Sequence, residues 1–242
     1  MKDILYTILD NEKIAKDIYK MKLSGDCSEF SAPGQFVNIK IDGLYLRRPI
    51  SIACYDSNSF TIIYKVVGEG TKAMSSMKAG AMLWILAPLG NGYDISKICE
   101  KPLLIGGGVG VPPMYGLALS LLSINKKPEI ILGFNSKEDV FFLDEFRKLG
   151  LNVTVTTVDG SLGIKGFVTD AMETLEFDYI CSCGPEPMLK AVYDHGTSGQ
   201  FSFEARMACG FGSCMGCSCE TKYGSKRICK DGPVLFREEI KW

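Results

Sequence analysis

The chain has 242 residues, 46% of them hydrophobic, with a formal net charge of −1 and a sequence pI near 6.0. That length and composition allow a sizeable core and favour two domains with an appendage over a single domain. The balanced charge, with no basic cluster, argues against a nucleic-acid-binding surface. Since no apolar run is long enough to cross a bilayer and no signal-peptide pattern is visible, we expect no membrane contact and a cytoplasmic location.

The first part of the chain is predicted to form an antiparallel β-barrel. Short alternating apolar runs are separated by turn residues, a pattern typical of such barrels. The six runs cover residues 4–9, 14–23, 35–41, 48–54, 59–67 and 82–87. A short helix is expected at 71–77, before the last strand.

Beyond residue 98 the pattern changes to strands that alternate with helices, which predicts a doubly wound parallel α/β sheet. The predicted strands cover 102–105, 129–133, 152–158 and 179–183, and the helices 112–125, 141–149, 169–175 and 186–195. We therefore expect a barrel over residues 1–98, a nucleotide-binding α/β domain over 99–205 and a small cysteine-rich segment over 206–242.

A candidate flavin motif, Arg48-Pro49-Ile50-Ser51, lies on the fourth predicted strand. The guanidinium of Arg48 can clamp a flavin phosphate, and the hydroxyl of Ser51 can hydrogen-bond the edge of the flavin ring. The alternative is an exposed arginine beside a serine that caps the strand.

A second candidate half of the flavin site follows on the next strand. Ile63, Tyr64 and Lys65 lead into a glycine turn and a helix start at Gly70 and Thr71. Backbone N–H groups at a glycine turn and a helix N-terminus bind phosphate oxygens, so Gly70 and Thr71 can hold a pyrophosphate. Tyr64 is placed beside the flavin, with a surface aromatic as the alternative.

Four glycines between a predicted strand and helix, Gly106, Gly107, Gly108 and Gly110, suit a nucleotide diphosphate. The run departs from G-x-G-x-x-G, because Val111 fills the last position. A tight strand-to-helix turn is the alternative, but it would account for two glycines rather than four.

Cys183 ends the last clear strand, at the carboxyl edge where ligands of parallel sheets bind. A small polarizable thiol there leaves room for a nicotinamide ring to approach a flavin, and we assign it a catalytic place. Its alternative is plain core packing, which is the preferred interpretation for Cys181.

The C-terminal segment carries the most specific pattern in the chain. Cys209, Cys214 and Cys217 follow the spacing C-x4-C-x2-C, with Cys229 further on, the plant-type arrangement for a [2Fe-2S] cluster. Interspersed glycines let the loop curl and point N–H groups at sulfur. A zinc knuckle and a set of buried free thiols are the alternatives; only Cys214 and Cys217 form a C-x2-C pair. Cys219 is interpreted as a buried side chain beside the site.

These motifs, in this order, resemble the ferredoxin-NADP reductase superfamily and, more closely, the electron-transfer subunit of class 1B dihydroorotate dehydrogenase. The motifs that carry the resemblance are Pro33-Gly-Gln-Phe, Arg48-Pro-Ile-Ser, Val67-Gly-Glu-Gly-Thr, Gly106-Gly-Gly-Val-Gly, Cys183-Gly-Pro and Met207-Ala-Cys-Gly-Phe-Gly-Ser-Cys-Met-Gly-Cys-Ser-Cys. Ile50 departs from the tyrosine usual in the wider superfamily.

The resemblance implies FAD in the barrel, NAD at the second domain and a [2Fe-2S] cluster on Cys209, Cys214, Cys217 and Cys229. It also implies an FMN-containing catalytic partner, in a heterotetramer with two copies of each subunit. Electrons would then pass from the partner through the cluster and FAD to NAD⁺, in pyrimidine biosynthesis.

Two other functions stay open from the sequence. One keeps the cofactors but serves a hydrogenase or a ferredoxin-linked reductase, and the other makes the chain a non-catalytic redox-sensing module. NAD is favoured over NADP, since the residues after the strand ending near Gly133 include Lys137 but no arginine to hold a 2′-phosphate.

Overall fold

The N-terminal half forms a closed six-stranded antiparallel barrel in the structure, a computed structural model that describes residues 1–196 and 198–242. Its strands are β1 (Lys2–Ala15), β2 (Ile18–Ser24), β3 (Phe36–Ile39), β4 (Arg48–Tyr55), β5 (Ser59–Lys65) and β6 (Met82–Leu89), in the spatial order β1-β2-β5-β4-β3-β6. Helix α1 (Glu69–Ser75) joins β5 to β6. The predicted barrel is confirmed.

Every second side chain along the barrel strands points inward, and these side chains fill the barrel. Phe60, Ile62 and Tyr64 of β5 point inward, while Ile63 points outward and packs against the second domain. Tyr64 is 1% exposed and its hydroxyl donates to the side chain of Asn11 at 3.0 Å. The surface position given as the alternative for this ring is therefore wrong, and its place beside the flavin stays a prediction.

The second half is built on a seven-stranded sheet. Its first six strands are β7 (Pro102–Gly107), β8 (Glu129–Phe134), β9 (Val153–Thr157), β10 (Ile164–Lys165), β11 (Tyr179–Cys183) and β12 (Gly199–Ser202), all parallel. The helices between them are α2 (Val111–Ser123), α3 (Leu143–Lys148), α4 (Val168–Met172) and α5 (Glu186–His195). The predicted doubly wound fold is confirmed.

The C-terminal segment closes the edge of that sheet. After the cysteine loop come a hairpin of β13 (Ser218–Thr221) and β14 (Gly224–Arg227), helix α6 (Ile228–Asp231) and strand β15 (Val234–Phe236). Strand β15 pairs antiparallel with β12 and completes the order β10-β9-β8-β7-β11-β12-β15. The sequence did not predict strands β10, β12, β13, β14 and β15 or helix α6.

Helix α2 joins the two halves through close packing against β4. A Cβ added to Gly116 would lie 2.5 Å from the carbonyl oxygen of Ala53, so only glycine allows this approach. Ala53, Met114 and Leu117 belong to one buried cluster that crosses the junction. In the described ranges, the helices are all too short or too polar to cross a bilayer.

Candidate functional site

Strands β4 and β5 separate at the position of the predicted flavin motifs. The two strands pair from Tyr55 and Phe60 as far as Ile52 and Ile62, whereas residues 48–51 pair with β3. Residues 63–65 pair with β2 on one side, and among the described residues they have no partner in β4 on the other. The two predicted motifs therefore lie on opposite sides of a gap with free backbone groups, a fit for a flat ring.

The two predicted phosphate-binding groups are also brought together. The guanidinium of Arg48 lies against Gly70, and a Cβ at Gly70 would collide with its Nε. The Thr71 hydroxyl accepts hydrogen bonds from the N–H groups of Val67 at 2.9 Å and Gly68 at 3.2 Å. Because that hydroxyl is already used within the turn, a phosphate would bind the free backbone N–H groups of the first helical turn instead. The guanidinium of Arg48 lies beside them.

A cavity of about 640 Å³ lies between the barrel and the sheet. Ile18 and Lys65 form its barrel side, and Gly107 and Gly108 form part of its opposite wall. The remaining lining comes largely from segments that follow the carboxyl ends of the parallel strands, including the exposed ring of Phe167. This is the edge at which sheets of this type bind nucleotides, and its volume suits a ligand of that size.

The four predicted glycines lie in different surroundings. Gly107 and Gly108 line the cavity, although a Cβ at Gly107 would also collide with Met188 Sδ. Gly106 and Gly110 allow close packing instead, because a Cβ at Gly106 would lie 2.8 Å from Val111 Cα and one at Gly110 would collide with the backbone of Cys183. The close packing fits the tight-turn alternative, and the binding of a nucleotide by these glycines stays a prediction.

Cys183 is 3% exposed and packs in the core behind the cavity. Burial raises the pKa of its thiol to about 12, so the group is neutral at physiological pH. Tyr93 packs in the same cluster, and its hydroxyl donates to the carbonyl of the neighbouring Ser182 at 2.9 Å. The catalytic place assigned to Cys183 stays a prediction, as do the other site assignments made from the sequence.

Two residues on the cavity wall were not predicted from the sequence. Glu204 lies on the cavity wall, and its pKa is raised by burial. Its side chain is accessible to solvent, and in the described part of the chain it forms no ion pair, with Arg206 or any other cation. Thr156 is 1% exposed, and its hydroxyl, on the same wall, has no hydrogen-bond partner among the described residues. The Glu204 carboxyl group is therefore accessible to a ligand, whereas the Thr156 hydroxyl is enclosed.

The cysteine loop curls as its glycines predict. Gly210 and Gly212 have φ of +78° and +89°, in the left-handed region that glycine tolerates best. The loop turns backbone N–H groups toward Cys209 Sγ, from Ser213 at 3.3 Å and Cys214 at 3.5 Å. Burial raises the pKa of Cys209, but the N–H donors around it outweigh that effect and lower the pKa to about 6. The loop thus favours a thiolate, the form that binds iron.

The fourth predicted ligand, on helix α6, approaches the third. Cys229 N–H donates to Cys217 Sγ at 3.4 Å, and both side chains are buried. The pKa of Cys229 is raised by burial, then by its hydrogen bond with Cys217 and the charges of Cys217 and Cys209. The four cysteines therefore form two hydrogen-bonded pairs within electrostatic reach of each other.

Within residues 1–196 and 198–242, no three His, Cys, Asp or Glu side chains are grouped to hold a metal ion. All ten cysteines lie in these ranges and are free thiols. The sulfur-directed N–H groups and the low pKa of Cys209 are the features that fit an iron-sulfur cluster here.

Comparison with known proteins agrees with this geometry. Residues 204–241 match the family model for the iron-sulfur cluster binding domain of dihydroorotate dehydrogenase B, and residues 104–194 match the oxidoreductase NAD-binding domain. The electron transfer subunit of dihydroorotate dehydrogenase B (NAD(+)) from Fusobacterium nucleatum is 48% identical, with 97% of each chain covered. The chain belongs to the family of dihydroorotate dehydrogenase B electron-transfer subunits.

Other relatives support the same family and fold. The electron transfer subunit from Bacillus pumilus is 44% identical, over 99% of this chain and 98% of the relative. A solved structure described as an NADH-dependent reduced ferredoxin-NADP oxidoreductase superposes with a TM-score of 0.88 at 31% identity, covering 100% of this chain and 91% of the other. The resemblance inferred from the sequence motifs is confirmed.

Proposed function

We propose that this chain connects an FMN-containing dihydroorotate dehydrogenase catalytic subunit to NAD⁺, as the electron-transfer subunit of that enzyme in pyrimidine biosynthesis. The observation that carries the proposal is the cavity, where Lys65 of the barrel and Gly107 and Gly108 of the sheet share one space. A nicotinamide and a flavin bound on its two sides would be close enough to react.

The chain's own residues would hold three groups. Arg48, Ser51 and the first turn of α1 would hold FAD, the cavity would hold NAD, and Cys209, Cys214, Cys217 and Cys229 would hold a [2Fe-2S] cluster. When bound, the nicotinamide exchanges electrons in pairs as hydride, the cluster exchanges them singly and the flavin does either. Apolar walls such as Phe167 and Met188 would exclude water from the reacting rings.

The partner belongs to the same proposal. A cluster that exchanges single electrons implies an acceptor or donor outside this chain, and the relatives are named as subunits. We expect a catalytic subunit with FMN and a heterotetramer with two copies of each chain. A cytoplasmic location fits ten free thiols.

The test is an anaerobic visible spectrum of the purified chain, with iron and flavin analysis, before and after NADH. We expect about one flavin and two irons per chain, both bleached by NADH. Adding dihydroorotate and NAD⁺ to the chain without its partner should give no turnover. Absence of flavin, zinc in place of iron or turnover without the partner would each contradict the proposal.

A second function is favoured by one observation. The 31% identical structure over the whole chain is described as a ferredoxin-NADP oxidoreductase, so a ferredoxin-linked complex would use the same carriers. Co-purification of the tagged chain distinguishes the two. Recovery of a subunit that oxidises dihydroorotate supports the first function, and recovery of one that reduces ferredoxin supports the second.

A further inference from the structure

Asn38, on strand β3, contacts the cysteine loop from the barrel. Its neighbours Val37 and Ile39 point into the barrel core, so the Asn38 side chain points outward. Its Nδ2 donates to the carbonyl oxygen of Cys209 at 3.3 Å. A Cβ at Gly210 would collide with the same amide, so the loop lies directly against it. The amide thus touches the first predicted iron ligand.

The same residue adjoins the predicted flavin motif. In the antiparallel ladder, Asn38 lies opposite Pro49, within the motif that begins at Arg48. The preceding Arg47 donates to the Asn38 carbonyl oxygen at 3.5 Å and forms an ion pair with Asp3. Asn38 therefore joins the flavin-binding strand to the Cys209 side of the cluster loop by a hydrogen bond, whereas Phe36, on β3 like Asn38, packs with Cys217 and Cys229 through apolar contact.

Folding stability does not explain why this side chain is polar. Asn38 is 1% exposed, and its Oδ1 has no hydrogen-bond donor among the described residues. A buried acceptor without a donor costs about 1–3 kcal/mol, which offsets much of what the single Nδ2 bond contributes. An apolar side chain of the same size would stabilise the fold about equally well.

We propose that Asn38 is a positioning residue, which fixes the cluster loop against the flavin-binding strand and so sets the separation across which electrons pass within this chain. This rests on the proposed function, since it needs a cluster at Cys209 and a flavin at residues 48–51. The residue acts through the Cys209 carbonyl and touches no reacting atom.

The test compares the wild-type holoprotein with Asn38→Leu, which has a similar volume and no donor. The visible circular dichroism of a [2Fe-2S] centre reports the geometry of its loop, and rapid mixing with NADH separates bleaching of the flavin from bleaching of the cluster. We expect a changed dichroism spectrum and cluster bleaching slowed about tenfold, because small displacements of reacting groups have large kinetic effects. Flavin bleaching and the unfolding temperature should stay near the wild-type values.

Asn91→Ala is the matched control. The Asn91 amide also links to the C-terminal segment, through Nδ2 to the carbonyls of Val234 at 2.9 Å and Asp231 at 3.4 Å, and through Oδ1 from the Val234 N–H at 3.2 Å. These contacts lie at the end of helix α6 and at strand β15, and none of them is made to the cysteine loop. This variant should lower the unfolding temperature and leave the dichroism and both bleaching rates unchanged. The opposite patterns of the two variants separate a positioning effect from a structural one.

Wild-type dichroism and wild-type cluster bleaching in Asn38→Leu would overturn the proposal, as would the pattern expected of Asn91→Ala. Should Asn38→Leu fail to fold, Asn38→Ala replaces it, since alanine adds no volume and has no donor for the Cys209 carbonyl; the same outcomes decide. A wild-type chain without flavin or cluster would instead refute the proposed function.

Discussion

Strand β7 in the sheet and the cysteine loop at residues 209–217 lie at opposite extremes of burial. Every residue of β7 is buried, whereas Cys214 and four of its loop neighbours, Phe211, Ser213, Met215 and Gly216, are exposed. The sheet gains its stability from apolar area removed from water. The loop has little such area, and the groups that it turns inward are N–H donors aimed at sulfur. Bound iron would therefore contribute to the order of the loop but not to that of the sheet.

Cys214→Ser gives the largest expected effect and tests the loop side of this comparison. Removing one predicted ligand should abolish the cluster's visible absorbance, while flavin content and flavin reduction by NADH persist. Iron analysis and the visible spectrum measure both. The control is Cys99→Ser, an exposed thiol far from the loop in sequence that should change neither. A full cluster in Cys214→Ser would show that the ligand assignment is wrong.

Removal of iron by a chelator should affect the two regions unequally. We expect proteolytic cleavage within residues 209–217 to accelerate strongly, while the sheet stays resistant, because local opening is easiest where few apolar contacts hold the chain. Mass spectrometry of the fragments locates the cuts. Equal protection of the loop with and without iron would mean that it is ordered by the protein alone.

Gly110→Ala tests the sheet side. Its methyl group would collide with the backbone of Cys183, so we expect the free energy of unfolding to fall by about 1–3 kcal/mol. Gly68→Ala is the control, since a Cβ there meets no atom within 4 Å and its extended φ of −168° suits alanine. Urea denaturation measures both, and a Gly110→Ala protein as stable as Gly68→Ala would contradict the packing role.

Glu204→Gln tests the cavity between the barrel and the sheet, which includes Gly107 of β7 in its lining but no residue of the cysteine loop. The oxidised nicotinamide ring is cationic, so a carboxylate on the cavity wall should favour NAD⁺ over NADH by about 1 kcal/mol, or about fivefold in affinity. Titration of both nucleotides measures the ratio of their dissociation constants. Glu186→Gln, exposed and outside the cavity lining, should leave that ratio unchanged. No change in Glu204→Gln would place the ring elsewhere.

Asp3→Asn gives the smallest expected effect and asks whether surface charge matters to the scaffold. The hydrogen bond from Arg47 lowers the pKa of Asp3 below its usual 3.8, so the pair stabilises the barrel above that pH and is lost as the pH falls through the folded pKa. Both side chains are partly exposed, which limits the contribution to about 0.2–1 kcal/mol.

Unfolding of the Asp3→Asn protein should therefore match wild type below the folded pKa and differ slightly at neutral pH. Asp42→Asn, an exposed barrel carboxylate outside the ion pairs of the described residues, is the control. A large effect of Asp3→Asn at pH 7 would mean that charge, and not burial alone, holds the barrel.

Most of the fold could be predicted from local sequence patterns. Alternation in the first 87 residues predicts all six barrel strands, and the helix after Gly110 starts within one residue of its predicted position. Strand β15 could not be predicted, because its partner β12 lies some thirty residues earlier and neither strand is long. Register between distant short strands is set by tertiary packing, which a single sequence does not show.

The sequence predicted the site residues that belong to a recognisable motif. It missed the residues that stand alone in the sequence. Arg48, Gly70 and the cysteines were found through spacing, and the structure brings Arg48 against Gly70. Asn38 and Glu204 have no motif of their own, and their positions depend on how the barrel, sheet and loop meet. For Tyr64 the surface alternative is wrong, because the ring is buried in the barrel, and an aromatic on a strand fits either face until the barrel closes.

Because Ser202 and Val234 face each other across β12 and β15, residues 203–233 leave the sheet and return to it at adjacent strands. The ends of this stretch are thus held about 5 Å apart, the separation of two paired strands. Exchanging this stretch between reductases would therefore leave the order of the other strands unchanged. Its buried side chains Cys217, Ile228 and Cys229 share one cluster with Leu103 and Phe201 of the sheet, and Lys222 contacts helix α5. A graft would thus need matching changes on the sheet and on α5 as well as on the barrel.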